Sequence, residues 1–168
     1  MLRLITALAF AAAFTPHASA QTGSGSGDAK AAIDSCLSQS SESNQRGCIG
    51  TYADACMESP DGQTTTGMTD CLTAESDAWD AVLNERYQAR MADAKEIDAT
   101  RAELGDSQPS QAAETLRTAQ RAWIAFRDAE CDRIFELNKD GTIRLPETAG
   151  CMNRLTAERA IELVAPQG

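Results

Sequence analysis

The sequence runs to 168 residues, with 25 Asp and Glu against 15 Lys and Arg, a net charge of −10, six cysteines and a single histidine. That length suits one domain with a core of its own, and the acidity disfavours nucleic acid and anionic membranes as partners. The lone histidine, His17, lies in the leader. The rest of the chain therefore has no histidine-based triad and no Cys–His nucleophile pair. With no C-x-x-C present, a metal site is poorly supported as well.

Residues Met1–Ala20 read as a secretory signal peptide. Arg3 supplies the positive start, Leu4 to Phe14 the apolar run, and Ala18-Ser19-Ala20 the cleavage end. The run is too short to cross a bilayer as a helix. Cleavage after Ala20 leaves Gln21–Gly168, in which the loss of Arg3 gives 14 Lys and Arg against 25 Asp and Glu, a net charge of −11. Gln21 rather than a lipoprotein cysteine comes directly after the cut. The expected location is therefore periplasmic or secreted, without membrane insertion after signal cleavage. An even set of cysteines, Cys36, Cys48, Cys56, Cys71, Cys131 and Cys151, points to three disulfides in an oxidising compartment. Six cysteines permit fifteen pairings, and the count alone does not choose among them.

Gln21–Gly27 (QTGSGSG) reads as a flexible linker. From Asp28 the texture is helical, rich in Ala, Glu, Gln, Leu and Arg. A first helix fits Asp28–Gln39, with Ala32, Ile33, Cys36 and Leu37 at helical spacing. A second fits Asn44–Met57, and Ser59-Pro60-Asp61-Gly62 is a turn signal. A long third helix runs from about Thr66 to Ala99, its stripe carried by Met68, Cys71, Leu72, Trp79, Val82, Leu83, Tyr87, Met91, Ala94 and Ile97. Leu104-Gly105-Asp106-Ser107 breaks it. The fourth helix spans about Gln108 to Asn138, with Ser107 as its cap and Pro109 in its first turn. Its stripe is Ala112, Leu116, Ala119, Trp123, Phe126, Ile134 and Leu137. Lys139-Asp140-Gly141 ends it, with the glycine placed for a left-handed terminus. A last helix fits Thr148–Val164. The fold class is all-α: a small disulfide-stapled bundle built on a long antiparallel helix hairpin with shorter flanking helices.

Two segments carry a specific pattern. One contains Asp80-x-x-Leu83-Asn84-x-x-Tyr87. The other is Ala119-Gln120-Arg121-Ala122-Trp123 running through Arg127-Asp128 to Cys131. A looser third piece is Cys151 with Leu155-Thr156-x-x-Arg159-x-x-x-Leu163 behind it. Together, over roughly residues 56–163, they resemble the LprI-type lysozyme-inhibitor domain of bacterial envelopes. The resemblance implies an exported, helical, disulfide-bonded domain whose family takes its name from inhibition of lysozyme. Residues 28–55 look like an N-terminal helical extension, and 56–165 like the family domain.

Asp80, Asn84 and Tyr87 share one face of the third helix; Gln120, Trp123, Arg127 and Cys131 share one face of the fourth. A hairpin centred near Leu104 sets Asp80 opposite Arg127, which predicts a structural ion pair rather than a catalytic one. Asp128, Leu83 and Arg159 join them as structural motif residues. Asp and Glu make up about a sixth of the cleaved chain, so suggestive carboxylate pairs arise by chance. No catalytic, cofactor or metal site is expected. Each cysteine flanks a predicted helix break, which predicts the local pairs Cys36–Cys48, Cys56–Cys71 and Cys131–Cys151.

Two function classes fit these features. The first is a binding protein for a basic lysozyme-type muramidase, attracted by opposite charge. Its reaching element would be one of two disulfide-bounded loops, Met57–Gly67 or Asn138–Gly150, with Arg144 of the latter as a partner-binding residue. The alternative is an envelope scaffold or stress protein that binds another protein and has no enzymatic activity.

Overall fold

The computed structural model describes residues 25–105 and 107–164; the signal peptide, the cleavage site and linker residues 21–24 lie outside the described residues. In chain order come helix α1 (Gly25–Gln39), a 3-10 segment (Glu42–Cys48), α2 (Thr51–Met57), α3 (Thr65–Glu103), α4 (Ala112–Leu137) and α5 (Arg144–Glu162), with no strand among the described residues. The all-α bundle expected from the sequence is what forms. The three local disulfides form too, with Cα separations of 5.8 Å for Cys36–Cys48, 5.8 Å for Cys56–Cys71 and 5.6 Å for Cys131–Cys151.

Helix α3 is the spine: its 39 residues make a rod of about 60 Å at 1.5 Å per residue. The hydroxyl of Thr64 accepts from the backbone N–H of Gly67 at 2.9 Å and caps its start. Gly105, at φ 69°, takes the left-handed conformation that closes its other end. The core forms where α1 and α5 lie on this spine. Ala29 and Ile33 of α1, Cys48 of the 3-10 segment, Trp79, Val82 and Leu83 of α3, and Ala157, Ala160 and the adjoining Leu163 at the end of α5 are all buried together. Tyr87, Leu116 and Trp123 pack on its edge. A smaller cluster of Cys131, Cys151 and Leu155 sits under the α4–α5 turn.

The hairpin of α3 and α4 is present, but α5 returns along both helices and meets each over more of its length than they meet one another. Residues 25–55 contribute to this core: α1 covers α3, and α2 packs beside it.

Several local expectations are corrected. The predicted helix Asn44–Met57 is broken in two by Gly50, whose φ of 92° is incompatible with continuing helix. The last three linker residues, Gly25-Ser26-Gly27, are the first turn of α1. Helix α4 starts at Ala112, so Pro109 stands outside it and Ser107 does not cap it. Gly141 is not left-handed; among the described residues only Gly50 and Gly105 have positive φ. Helix α5 begins at Arg144, not Thr148. In α4, Phe126 and Leu137 are 56% and 69% exposed. Being covered only on the sides facing α3 and α5, that helix buries an arc narrower than its apolar stripe.

Candidate functional site

Five of the motif residues lie where three helices meet. Leu83 is buried in the core and Tyr87 and Trp123 wedge against it, so these three act by packing. Gln120 and Arg159 bridge two helices: the Arg159 Nε–H donates to Gln120 Oε1 at 3.1 Å, and Arg159 Nη1 also reaches Glu162. Arg86 makes a comparable tie, donating from Nη1 to the Ala160 carbonyl at 2.9 Å and to Gln45 Oε1 at 3.4 Å. Burial pushes its guanidinium below the ordinary arginine range.

The expected Asp80–Arg127 pair does not form. Asp80 is exposed and accepts from its own helix, from Asn84 Nδ2 at 2.8 Å. Arg127 donates from Nε and Nη2 to its neighbour Asp128 at 3.0 and 2.8 Å, and lies 5.1 Å from the Trp123 ring centroid. Each group is satisfied on its own helix, Asp80 by Asn84 one turn on and Arg127 by the adjacent Asp128. Asp98 of α3 instead reaches α4, accepting the N–H groups of Ala112 and Ala113 at 2.8 and 3.1 Å. Asp98 thus replaces the missing side-chain cap at Gln111. Its carboxyl is held below the ordinary aspartate value by the Ser110 side chain first, then by the Ala113 and Ala112 amides and the charge of Arg101.

The polar centre of the molecule lies outside the sequence motifs. Glu75 is 0% exposed. Its Oε1 accepts from Gly50 N–H at 2.6 Å, Trp79 Nε1–H at 3.1 Å and Asn153 Nδ2 at 3.2 Å, and its Oε2 from Ala53 N–H at 2.7 Å. One carboxylate therefore caps α2, fixes the core tryptophan and holds α5. A signal existed: Glu75 interrupts the apolar stripe of α3 between Cys71 and Trp79 at helical spacing.

At the far end, Arg144 is folded back rather than projecting. Its Nη1 donates to the Gly141 carbonyl at 2.9 Å and the Lys139 carbonyl at 3.3 Å, and its guanidinium lies 5.7 Å from the Phe135 ring centroid. The connection it braces is short, residues 138–143, with Cys131–Cys151 behind it. Leu137, Ile143 and Leu145 are exposed around it. No group of three or more His, Cys, Asp or Glu side chains that could hold a metal ion occurs among the described residues.

The family model for lysozyme inhibitor LprI matches residues 56–163. The chain belongs to the LprI family. An uncharacterized protein of Rhizobium meliloti (strain 1021) is 33% identical over 121 residues, which covers 69% of this chain and 85% of that protein. No solved structure matches the chain. The LprI match starts at Cys56, and residues before it also enter the core. Ile33 and Cys48 fill the core and the Gly50 and Ala53 N–H groups donate to Glu75, all from outside the matched segment. Within it, the LprI-type motifs place Leu83, Tyr87, Trp123, Gln120 and Arg159 at the meeting of α3, α4 and α5. LprI is a family of inhibitors rather than of enzymes, and among the described residues no helix is long and apolar enough to cross a membrane.

Proposed function

We propose that the protein is an exported inhibitor that binds a basic lysozyme-type muramidase and has no enzymatic activity of its own. Membership of the LprI family is the observation that carries this reading. The acidity of the chain supports it, because opposite charge speeds encounter with a basic enzyme. The element that reaches the enzyme is the α4–α5 tip. It is short, closed behind by Cys131–Cys151 and internally bonded by Arg144, so little ordering cost remains on docking. Its apolar side chains Leu137, Ile143 and Leu145 face solvent, which is the composition of an inserting wedge. Arg144 serves as the brace of that wedge.

The test is a bacteriolysis assay with several lysozyme types at low salt and excess oxidised protein. Inhibition of at least one type is expected, and Leu137→Asp/Ile143→Asp should abolish it while leaving the melting temperature unchanged. Absence of inhibition across the panel would favour the scaffold reading. Inhibition that survives the double substitution would move the contact away from this tip.

A further inference from the structure

Helix α4 is the long element that the bundle covers least. One of its 26 residues is buried, Cys131, whereas the shorter α5 buries seven of its 19. Gln120, Trp123 and Cys131 turn toward the bundle, through Arg159, the edge of the core and Cys151. The opposite face carries Thr118, Ala122, Ala125 and Ala129, all exposed and spaced by four, three and four residues. That alternation is the seam of a coiled coil. Phe126 borders the seam and is 56% exposed. The solvent face of an amphipathic helix ordinarily carries charged and polar residues; the middle of this one is small and apolar.

Charge frames the seam at its two ends. Arg121 stands at one end and Asp132 at the other, eleven residues and about three turns apart. Both are exposed, and among the described residues neither has a hydrogen bond or an ion pair. The neighbouring Arg117, Arg127 and Arg133 are by contrast all paired within α4, with Glu114, Asp128 and Glu130.

We propose that this face of α4 pairs with the same face of a second copy of the chain, the two helices antiparallel about a two-fold axis near Ala125 and Phe126. Such an axis sets Arg121 of each copy beside Asp132 of the other, so one pattern of free charges is satisfied twice. Ala122 of one copy then meets Ala129 of the other, and side chains this small let the helices approach closely. Phe126 of each copy covers the edge of the other helix and leaves water. A parallel pairing would instead set Arg121 on Arg121 and Asp132 on Asp132, like against like. The apolar contact supplies the affinity; the exposed ion pairs, individually weak, set direction and register. One helix face is at the small end of specific interfaces, so the dimer is reversible and forms as concentration rises. The pairing leaves the two α4–α5 tips uncovered at opposite ends, about 30 Å apart along the helix axis. If the inhibitor reading above holds, on which this consequence alone rests, one dimer carries two enzyme molecules.

The experiment is sedimentation equilibrium of the oxidised protein from micromolar to millimolar concentration. The mass should rise from one copy to two and stop there, because a two-fold pairing is closed. Ala125→Glu, which brings two carboxylates to the axis, should weaken the dimer by roughly tenfold or more. Arg121→Asp and Asp132→Arg should each weaken it alone, and the double exchange should restore it. None of these exposed substitutions should move the melting temperature of dilute protein or its inhibition of bacteriolysis. The mass measurement needs no enzyme, so it stands or falls separately from inhibition. A monomer at every concentration overturns the pairing and leaves the face to another occupant. A dimer indifferent to Ala125→Glu and to the single charge reversals overturns it too, as does a double exchange that fails to restore association.

Discussion

Glu75 shows how one side chain can decide whether several elements meet. Its four donors come from the α1–α2 side, from its own helix and from α5, and no other acceptor replaces it for Gly50 or Ala53. Each stranded buried donor costs about 1–3 kcal/mol, not additively. Glu75→Ala should therefore destabilise the protein by about 3 kcal/mol or more in urea denaturation; an unmoved midpoint would show that the network is dispensable. Glu75→Gln tests whether the charge matters, since it turns one acceptor into a donor facing another N–H. The contrast is Arg127. Among the described residues it is bonded to its sequence neighbour and stacked on Trp123, and it should cost less than about 1 kcal/mol as Arg127→Ala. A loss of several kcal/mol would reinstate a cross-hairpin role.

Among the elements, α4 is anchored at both ends as well as along its packed face. Cys131–Cys151 fixes one end, and in the chain-entropy picture its 20-residue separation stabilises by about 3 kcal/mol. The double substitution Cys131→Ala/Cys151→Ala should lower stability by about that much and loosen the α4–α5 tip first, seen as faster amide exchange in residues 138–143. The other end depends on Asp98. Its carboxyl pKa is lower in the folded protein than when unfolded, so its contribution is complete above the ordinary aspartate range and is lost as pH falls through the depressed folded value. Amide exchange at Ala112 and Ala113 should accelerate on acidification through that range. Asp98→Asn should show fast exchange already at neutral pH and a weaker acid response, and an acid response equal to that of the unsubstituted protein would clear Asp98 of this role.

For the whole molecule, the two ends of the hairpin differ in chemistry. The α4–α5 end is short and apolar-tipped; the α3–α4 end is a groove whose arginines are paired with acids, Arg90 with Asp93 and Arg159 with Glu162. If charge steering brings a basic muramidase to the acidic body, the association rate should fall as salt rises, because screening shortens the field to about 8 Å at physiological ionic strength. The dissociation rate, set by the seated apolar tip, should change far less. Stopped-flow or surface-based kinetics over a salt series separates the two, and a salt-independent association rate would remove steering from the account.

Local patterns in the sequence determined the class of fold. The 3.6-residue stripe of α3, the turn residues between helices and the cysteines flanking each break were sufficient for an all-α bundle and its three short-range disulfides, because each depends on neighbours within a few turns. The packing role of Leu83, Tyr87 and Trp123 in the LprI pattern was legible for the same reason. Tertiary structure decided what depends on two distant segments meeting at ångström precision. Asp80 and Arg127 took partners on their own helices, and a carboxylate from α3 rather than a local hydroxyl came to cap α4. Where α5 stops along α3 settled which apolar residues were buried and where a groove remained. Glu75 belongs to both accounts: its place in the stripe could be seen, but its four donors come from segments up to 78 residues away in the chain, and only folding brings them to one carboxylate.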